Sequence, residues 1–164
     1  MKRIVPILFI ALVGLLFSSC LDTKSEFTPE ISVSKFYTLS GDTLSFRFDS
    51  QSNCYNIDSI LVGDTITGAV GFAALGNMLV STHVGWDSTY LEVWSVFTDE
   101  FKNILLSNSD LEALNLYFPT GYNYLGLPLY IVPQKAGSTA LKLTVVTDSK
   151  FSPREETLIL NITE

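Results

Sequence analysis

From residue 30 onward, the chain is built of short apolar runs separated by turn residues. Within the run 44–48, apolar and polar side chains alternate with a period of two, which is typical of a β-strand with one buried face. Eight or nine such runs, about 8–12 residues apart and with almost no helix between them, predict an all-β protein folded as an antiparallel β-sandwich. The predicted strands are 31–37, 44–48, 55–62, 66–72, a run that opens at 78–80, 90–97, 127–132, 140–146 and 157–162.

One passage has the periodicity of a helix. Thr98 is a suitable N-cap residue, and Asp99 and Glu100 follow it in the first turn, where acidic side chains are favoured. Residues 101, 104 and 105 are apolar at the i, i+3, i+4 spacing of one helix face. We therefore predict one short helix near residues 98–106.

The N-terminal segment has a different pattern. Lys2 and Arg3 precede an unbroken apolar run, residues 4–17, which is shorter than the about 20 residues that span a membrane and is typical of a secretory signal peptide. The following residues 17–20, Phe-Ser-Ser-Cys, resemble the lipobox of bacterial lipoproteins, although Phe17 replaces the usual Leu, Val or Ile. The alternative is an ordinary signal peptide cleaved just before the cysteine, near residues 18 and 19.

The lipobox resemblance implies three segments. Residues 1–19 are predicted to be a lipoprotein signal peptide, residues 20–29 a lipidated N-terminus and tether, and residues 30–164 a single β-sandwich domain. Cys20 is the predicted lipidation site, so the membrane is a partner through the lipid rather than through a spanning helix. The next residue is Leu21 and not Asp, which by the same resemblance favours the outer membrane of a bacterial cell envelope.

Composition narrows the function classes. The 164 residues include 10 Lys and Arg against 17 Asp and Glu; without Lys2 and Arg3 of the leader, 8 basic residues remain and the net charge is −9. This acidic balance argues against a nucleic-acid partner, which needs clustered basic residues. One histidine and two cysteines do not suffice for a zinc site of Cys and His, and the chain contains no calcium-loop motif, so we predict no metal and no cofactor.

The residues that carry catalysis elsewhere lack a catalytic context here. His83 lies in a strand-like stretch, and Cys54 has no cationic neighbour in sequence to activate its thiol. The carboxylates of Asp99 and Glu100, like those of Glu155 and Glu156, are adjacent, and adjacent side chains point apart. No catalytic residue is therefore predicted, and an envelope hydrolase with an unrecognised site is kept as the alternative.

Seven of the nine aspartates are followed by Ser or Thr. Four of these triplets also have an aliphatic residue or Thr in third place, and they resemble the O-glycosylation acceptors of secreted Bacteroidetes proteins. The alternative is turn chemistry, because Asp-Ser and Asp-Thr pairs start strands through side-chain to backbone hydrogen bonds. The candidate acceptor hydroxyls are Thr43, Ser59, Thr65 and Ser88.

Two resemblances extend beyond the leader. The stretches 62–66, 79–84 and 87–96, with a Gly-Asp-Thr strand entry and a Leu-Glu-Val strand, resemble a cohesin-type or related immunoglobulin-like module over residues 62–148. The stretches 136–139 and 148–153 resemble small outer-membrane lipoproteins of Bacteroidetes. Both imply a β-sandwich, and neither implies catalytic residues.

The leading hypothesis is a lipid-anchored, non-enzymatic binding or assembly module of the cell envelope that recognises a protein partner or a glycan. Pro119 and Gly121 indicate a loop that is rich in aromatic residues, which are common at binding sites. If the end of this loop is extended, its last two tyrosines share one side. The candidate partner-binding residues are Tyr117, Phe118, Tyr122 and Tyr124.

Overall fold

The computed structural model describes residues 26–164. The predicted signal peptide and Cys20 lie outside the described residues. One helix is present in the described part, α1 Asp99–Ile104. The strands are β1 Glu30–Val33, β2 Tyr37–Thr38, β3 Ser45–Asp49, β4 Cys54–Leu61, β5 Ile66–Ala73, β6 Leu79–Trp86, β7 Leu91–Trp94, β8 Asn115–Tyr117, β9 Tyr124–Pro133, β10 Gly137–Thr147 and β11 Arg154–Thr163.

The strands form two sheets that pack into a sandwich, which confirms the predicted fold class. The first sheet has the order β1-β5-β9-β7, with β2 also paired to β5. The second sheet has the order β3-β4-β11-β10-β6-β8. The pairs are antiparallel except β4 with β11, which run parallel. No hairpin joins these two strands, so no tight turn imposes an antiparallel direction on them.

The core lies between the sheets because each long strand alternates. In β9 the residues Leu125, Leu127, Leu129 and Ile131 point inward and are at most 6% exposed. The residues between them point outward. The same alternation buries one side of β10 and of β11 in the second sheet.

Local structure departs from the sequence prediction in two strands, at the helix end and in the predicted loop. The predicted strand 31–37 is divided into β1 and β2, and the predicted strand 90–97 ends at Trp94. The helix ends at Ile104, before residue 106, because Leu105 already has an extended backbone. Its start agrees with the prediction: the Thr98 hydroxyl accepts a hydrogen bond from the backbone N–H of Phe101 at 3.3 Å. The segment predicted as a loop begins as a strand, since Tyr117 ends β8 and pairs with β6. A three-residue strand is too short to show a period of two.

The sandwich has two distinct ends. At one end, which we call the tether end, residues 26–29 enter beside the turns 74–78, 118–123 and 148–153; the Ala74 N–H donates to Asn123 O, and the Asp148 N–H to Met78 O. The opposite end, the far end, carries the turns 39–44, 62–65, 87–90 and 134–136. In the part of the chain that the structure describes, no helix is long and apolar enough to cross a membrane.

Candidate functional site

The structure separates the four aromatic residues predicted as a binding loop. Phe118 is 5% exposed and belongs to the core, so it cannot offer a surface to a partner; this corrects the prediction for that residue. Tyr122 is half-buried, and its ring centroid lies 6.3 Å from that of Phe118. Tyr117 is half-buried as well. Of the four residues, Tyr124 is the one that is exposed, at 60%.

Tyr124 lies over two glycines of the first sheet. A Cβ atom added to Gly71 would be 3.0 Å from the Tyr124 hydroxyl oxygen, and one added to Gly126 would be 3.6 Å from the ring. The tyrosine ring therefore fills the space above backbone that has no side chain of its own. Tyr122 instead packs against the core, so the two tyrosines do not share the side that the sequence predicts for them.

A larger aromatic surface lies on the outer face of the first sheet. Trp94 of β7 is in register with Tyr130 of β9, and their rings stack at 11° with centroids 5.6 Å apart. Trp94 is 36% exposed. Between this pair and Tyr124, the outward residues of β9 are Gly126 and Pro128, both exposed. We call these five residues the aromatic face.

The aromatic face is wide and nearly free of charge. Its two aromatic ends are separated by six residues of one strand, which is about 20 Å. The neighbouring outward residues of β5 are small, Ala69 and Gly71, so little rises above the β5 side of the sheet between those ends. On the other side of β9, Phe97 and Phe101 line a cavity of about 260 Å³ together with Gly126 and Pro128. Within the strands of the first sheet the charged residues are Glu30 and Glu92, on its two outermost strands. Uncharged surface with exposed Trp and Tyr has the composition of the centre of a binding interface.

The sequence carries a signal for this face that strand prediction alone does not use. The outward residues of β9 are tyrosine, glycine and proline, so the strand is apolar or bare on both sides. The outer face of β9, a central strand of the first sheet, is therefore a patch with little polar surface, and large exposed patches of this kind are common at interaction sites. The stacking of Trp94 with Tyr130 is not visible in sequence, because it depends on the register between two strands.

The outer face of the second sheet is polar. The Asp58 carboxylate accepts hydrogen bonds from Asn161 Nδ2 at 2.7 Å and from Arg47 Nη2 at 2.6 Å. These bonds, the one from Asn161 first, hold the pKa of Asp58 below its ordinary value. An open cavity of about 410 Å³ lies beside them and is lined by Asn56 and Phe48 among others. We call Arg47, Asn56, Asp58 and Asn161 the polar face.

The candidate catalytic groups are not brought together. His83 is exposed on β6, and its Nε2 lies 3.2 Å from where a Cβ on Gly85 would be. The open cavity of about 310 Å³ beside it has no carboxylate in its lining. The Cys54 thiol donates to Ser52 O at 3.3 Å. Among residues 26–164, no three His, Cys, Asp or Glu side chains are grouped so that they could hold a metal. The hydrolase alternative stays a prediction.

In each pair of adjacent carboxylates, one member is bonded to a nearby cation. Asp99, in the first turn of α1, accepts from Lys102 Nζ at 2.9 Å. Glu155 is exposed, whereas Glu156 is 9% exposed and accepts from Arg154 Nη2 at 2.5 Å. The two members of the second pair thus face opposite sides of β11.

Three of the four candidate acceptor hydroxyls share one groove at the far end. Thr43, Ser59 and Thr65 line one open groove of about 800 Å³. Ser88 lies in the exposed turn before β7. Beside it, the Asp87 carboxylate accepts from the backbone N–H two residues further on at 2.8 Å, which is the turn chemistry given above as the alternative. All but Thr65 are exposed, and modification of the four stays a prediction.

No protein-family model matches the chain, and no curated protein matches it. Among solved structures, the chain is similar to the PapD-like domain 7 of human CEP192, with 11% identity and a TM-score of 0.37 over 74% of this chain and 85% of that one. It is also similar to part of a family 123 glycoside hydrolase from Clostridium perfringens, with 12% identity and a TM-score of 0.35 over 83% of this chain and 27% of the enzyme. The chain thus spans about a quarter of that enzyme.

The two packed sheets define the class of protein. The chain is a two-sheet β-sandwich domain in which every strand pair but one is antiparallel. The narrower resemblances, to cohesin-type modules and to Bacteroidetes lipoproteins, stay predictions.

Proposed function

We propose that this chain is a non-enzymatic binding or assembly module of the bacterial cell envelope, anchored at the outer membrane by a lipid on Cys20 and recognising an envelope protein or a glycan. The observation that carries the binding role is the aromatic face. A stacked Trp94 and Tyr130, with Tyr124 at the other end of the same strand, form an exposed and almost uncharged surface.

The chemistry of this surface suits recognition. Trp and Tyr present a large apolar area with few rotatable bonds, so little conformational entropy is lost when a partner orders them. Each also carries an N–H or O–H group that can hydrogen-bond at the edge of the contact. Between the two aromatic ends, the outward residues of β9 are Gly126 and Pro128, so no charged or long flexible side chain of this strand separates them.

The position of this surface is compatible with an anchor at the N-terminus. Phe27 enters the domain at the tether end, where its carbonyl oxygen accepts from the Ser149 hydroxyl at 2.8 Å. The aromatic face runs along the side of the sandwich, from Tyr124 near that end toward Tyr130. A lipid at Cys20 would therefore leave most of the face open to a partner.

The binding role is tested with the double variant Trp94→Ala and Tyr130→Ala. We expect it to lose binding on a glycan array, or to lose a specific protein partner recovered from envelope extract by the wild-type chain. The thermal midpoint should change little, since exposed aromatic stacking contributes about 0.5–1.5 kcal/mol. The matched control is Phe48→Ala, which removes an aromatic side chain of 52% exposure from the second sheet.

Two results would contradict the binding role of this face. One is a double variant that binds as the wild type does. The other is an equal loss of binding in Phe48→Ala. If the double variant loses binding to a glycan, the ligand is a sugar. If it loses binding to a protein from the extract, the ligand is a protein.

The anchor is tested separately through Cys20→Ala. We expect this variant to lose acylation and to accumulate as unprocessed precursor, because the modified sulfur is gone. Metabolic labelling with a fatty acid and fractionation of the envelope measure both effects. Normal processing together with retention in the membrane fraction would exclude the lipid anchor.

A further inference from the structure

The tether end is the part of the domain closest to the proposed anchor, and its entry point is well defined. Asn77 Nδ2 and the Ser149 hydroxyl both donate to the carbonyl oxygen of Phe27, at 3.4 and 2.8 Å. Glu26 accepts from Lys150 Nζ at 2.5 Å. The chain is therefore attached to the sandwich from residue 26 onward, inside the segment 20–29 that the sequence predicts as a tether.

Exposed apolar side chains surround this entry point. Phe27 is 66% exposed, Phe151 49%, Leu75 44% and Met78 39%. They belong to one end of the molecule, because the Met78 N–H donates to the Asp148 carboxylate at 2.7 Å and thereby joins the turn 74–78 to the turn 148–153. We call Phe27, Leu75, Met78 and Phe151 the apolar tip.

The length of chain before the apolar tip limits its distance from the membrane. Cys20 and Glu26 are six residues apart. Six residues reach about 20 Å at most when fully extended. The far end lies beyond the length of β10, which has 11 residues and extends for about 35 Å. A lipid on Cys20 would thus keep the apolar tip within about 20 Å of the headgroup layer, whereas the far end can be farther away by the length of the sandwich.

The two ends also differ in charge. At the tether end, Glu26 is paired with Lys150, and the exposed Asp148 carboxylate accepts from the Met78 N–H. At the far end, Leu39 is also exposed, at 71%, but it lines the open groove together with the carboxylates of Asp42 and Asp64. Carboxylates are repelled by the negative surface of a bilayer that contains anionic lipid.

We propose that the apolar tip is a second membrane contact, and that the domain stands on its tether end with the side chains of Phe27, Leu75, Met78 and Phe151 in the lipid headgroup region. This inference rests on the proposed lipid anchor. The partner is the lipid surface itself, which accommodates aromatic and aliphatic side chains at its interface. Because the anchor keeps the tip at a high effective concentration near the bilayer, a weak partition of each side chain suffices.

The test measures the depth of the two ends in vesicles. The full chain, acylated in a bacterial host, is reconstituted in phosphatidylcholine vesicles whose acyl chains are brominated or unbrominated. A tryptophan is introduced at the tether end by Phe151→Trp, with Leu75→Trp as a second probe, and at the far end by Leu39→Trp as the matched control. All three positions are exposed, so each variant is expected to fold. Trp86 and Trp94 are present in every variant.

We expect brominated lipid to quench the emission added by Phe151→Trp and by Leu75→Trp, and to leave that added by Leu39→Trp unchanged. Equal emission in the two lipids for both tether-end probes would overturn the tip contact, even if the chain floats with the vesicles and the anchor is sound. Equal quenching at both ends would overturn the upright orientation. Failure of the acylated chain to float with vesicles would contradict the anchor and the tip contact together.

Discussion

The aromatic face and the polar face are both made of outward residues on alternating strands. They differ in whether those side chains are bonded to one another or leave apolar surface in contact with water. On the polar face, Asp58 uses its carboxylate oxygens on Arg47 and Asn161, so the outward side chains pair with one another. On the aromatic face, Trp94 stacks on Tyr130 but leaves more than a third of its own surface in water.

The difference separates stability from recognition. A polar network on a surface is satisfied within the domain and gains little from a partner. Apolar surface that stays exposed has an unfavourable contact with water that a partner would remove, at roughly 25 cal/mol per Å² of area covered. A partner would therefore gain more binding free energy on the first sheet. On the second sheet, the hydrogen bonds of the polar face are already formed within the domain.

The largest expected effect separates buried from exposed aromatic residues. Phe118→Ala should lower the free energy of unfolding by about 3–5 kcal/mol, because it leaves a cavity beside Tyr122. Trp94→Ala, on the aromatic face, should cost about 1 kcal/mol. Urea titrations of both variants measure these values. Equal losses would mean that Trp94 is a core residue and that it offers no exposed apolar surface for a partner to cover.

A medium effect distinguishes the glycines of the two sheets. A Cβ on Gly68 of the first sheet would lie 2.6 Å from Cδ1 of Phe36, which is fully buried and cannot move away. Gly68→Ala should therefore cost about 1–3 kcal/mol. In the second sheet, the Cβ of Gly85→Ala would lie 3.2 Å from the exposed ring of His83 and 3.9 Å from Cβ of Lys142, which is an ordinary contact, so this variant should cost less than about 0.5 kcal/mol. Equal urea midpoints for the two variants would contradict the claim that Gly68 is more tightly packed than Gly85.

The smallest effect concerns the polar face and depends on pH. The pKa of Asp58 is lowered in the folded chain, so its contribution to stability is present above the unfolded value of about 4 and is lost as the pH falls through the folded value. Asp58→Asn should cost about 1 kcal/mol at pH 7, since the Arg47 side chain is largely exposed. The difference from the wild type should shrink in urea titrations at pH 3 and below.

The control for this pH series is Asp64→Asn. Asp64 lines the open groove at the far end, and among the described residues its carboxylate has no hydrogen-bonded partner, so the same substitution there should cost less stability at pH 7 than Asp58→Asn. A difference at pH 7 that persists at pH 3 for Asp58→Asn would show that the polar face does not depend on this carboxylate.

The fold could be predicted because its information is local. The alternation of inward apolar residues with outward residues in β9, β10 and β11 follows from burial of one face. It is visible in the contiguous sequence of each strand. The helix start at Thr98 is equally local, since the capping hydroxyl and the N–H that it accepts from are three residues apart. Strand β8 was missed and β2 was not separated from β1, because two or three residues do not establish a period.

The candidate site could be predicted less well because its information is not local. Aromatic density in the segment 117–124 does not reveal that Phe118 turns into the core. Trp94 and Tyr130 are 36 residues apart in sequence, and only the register of β7 on β9 stacks them. The grouping of Thr43, Ser59 and Thr65 around one groove likewise depends on the packing of turns at the far end.

The parallel pairing of β4 with β11 has a consequence for how the domain folds. The strands β3 and β4 join the rest of the second sheet only through β11, and the contact between Asp58 and Asn161 closes a loop of 103 residues. Closing so long a loop loses chain entropy before the non-local contacts can stabilise the structure, so we expect folding on the millisecond-to-second scale. Until β11 inserts, β4 and β10 both present open edges to other chains. Strand β11 thus joins β3 and β4 on one side to β10, β6 and β8 on the other, and the six-stranded sheet forms only when it is in place.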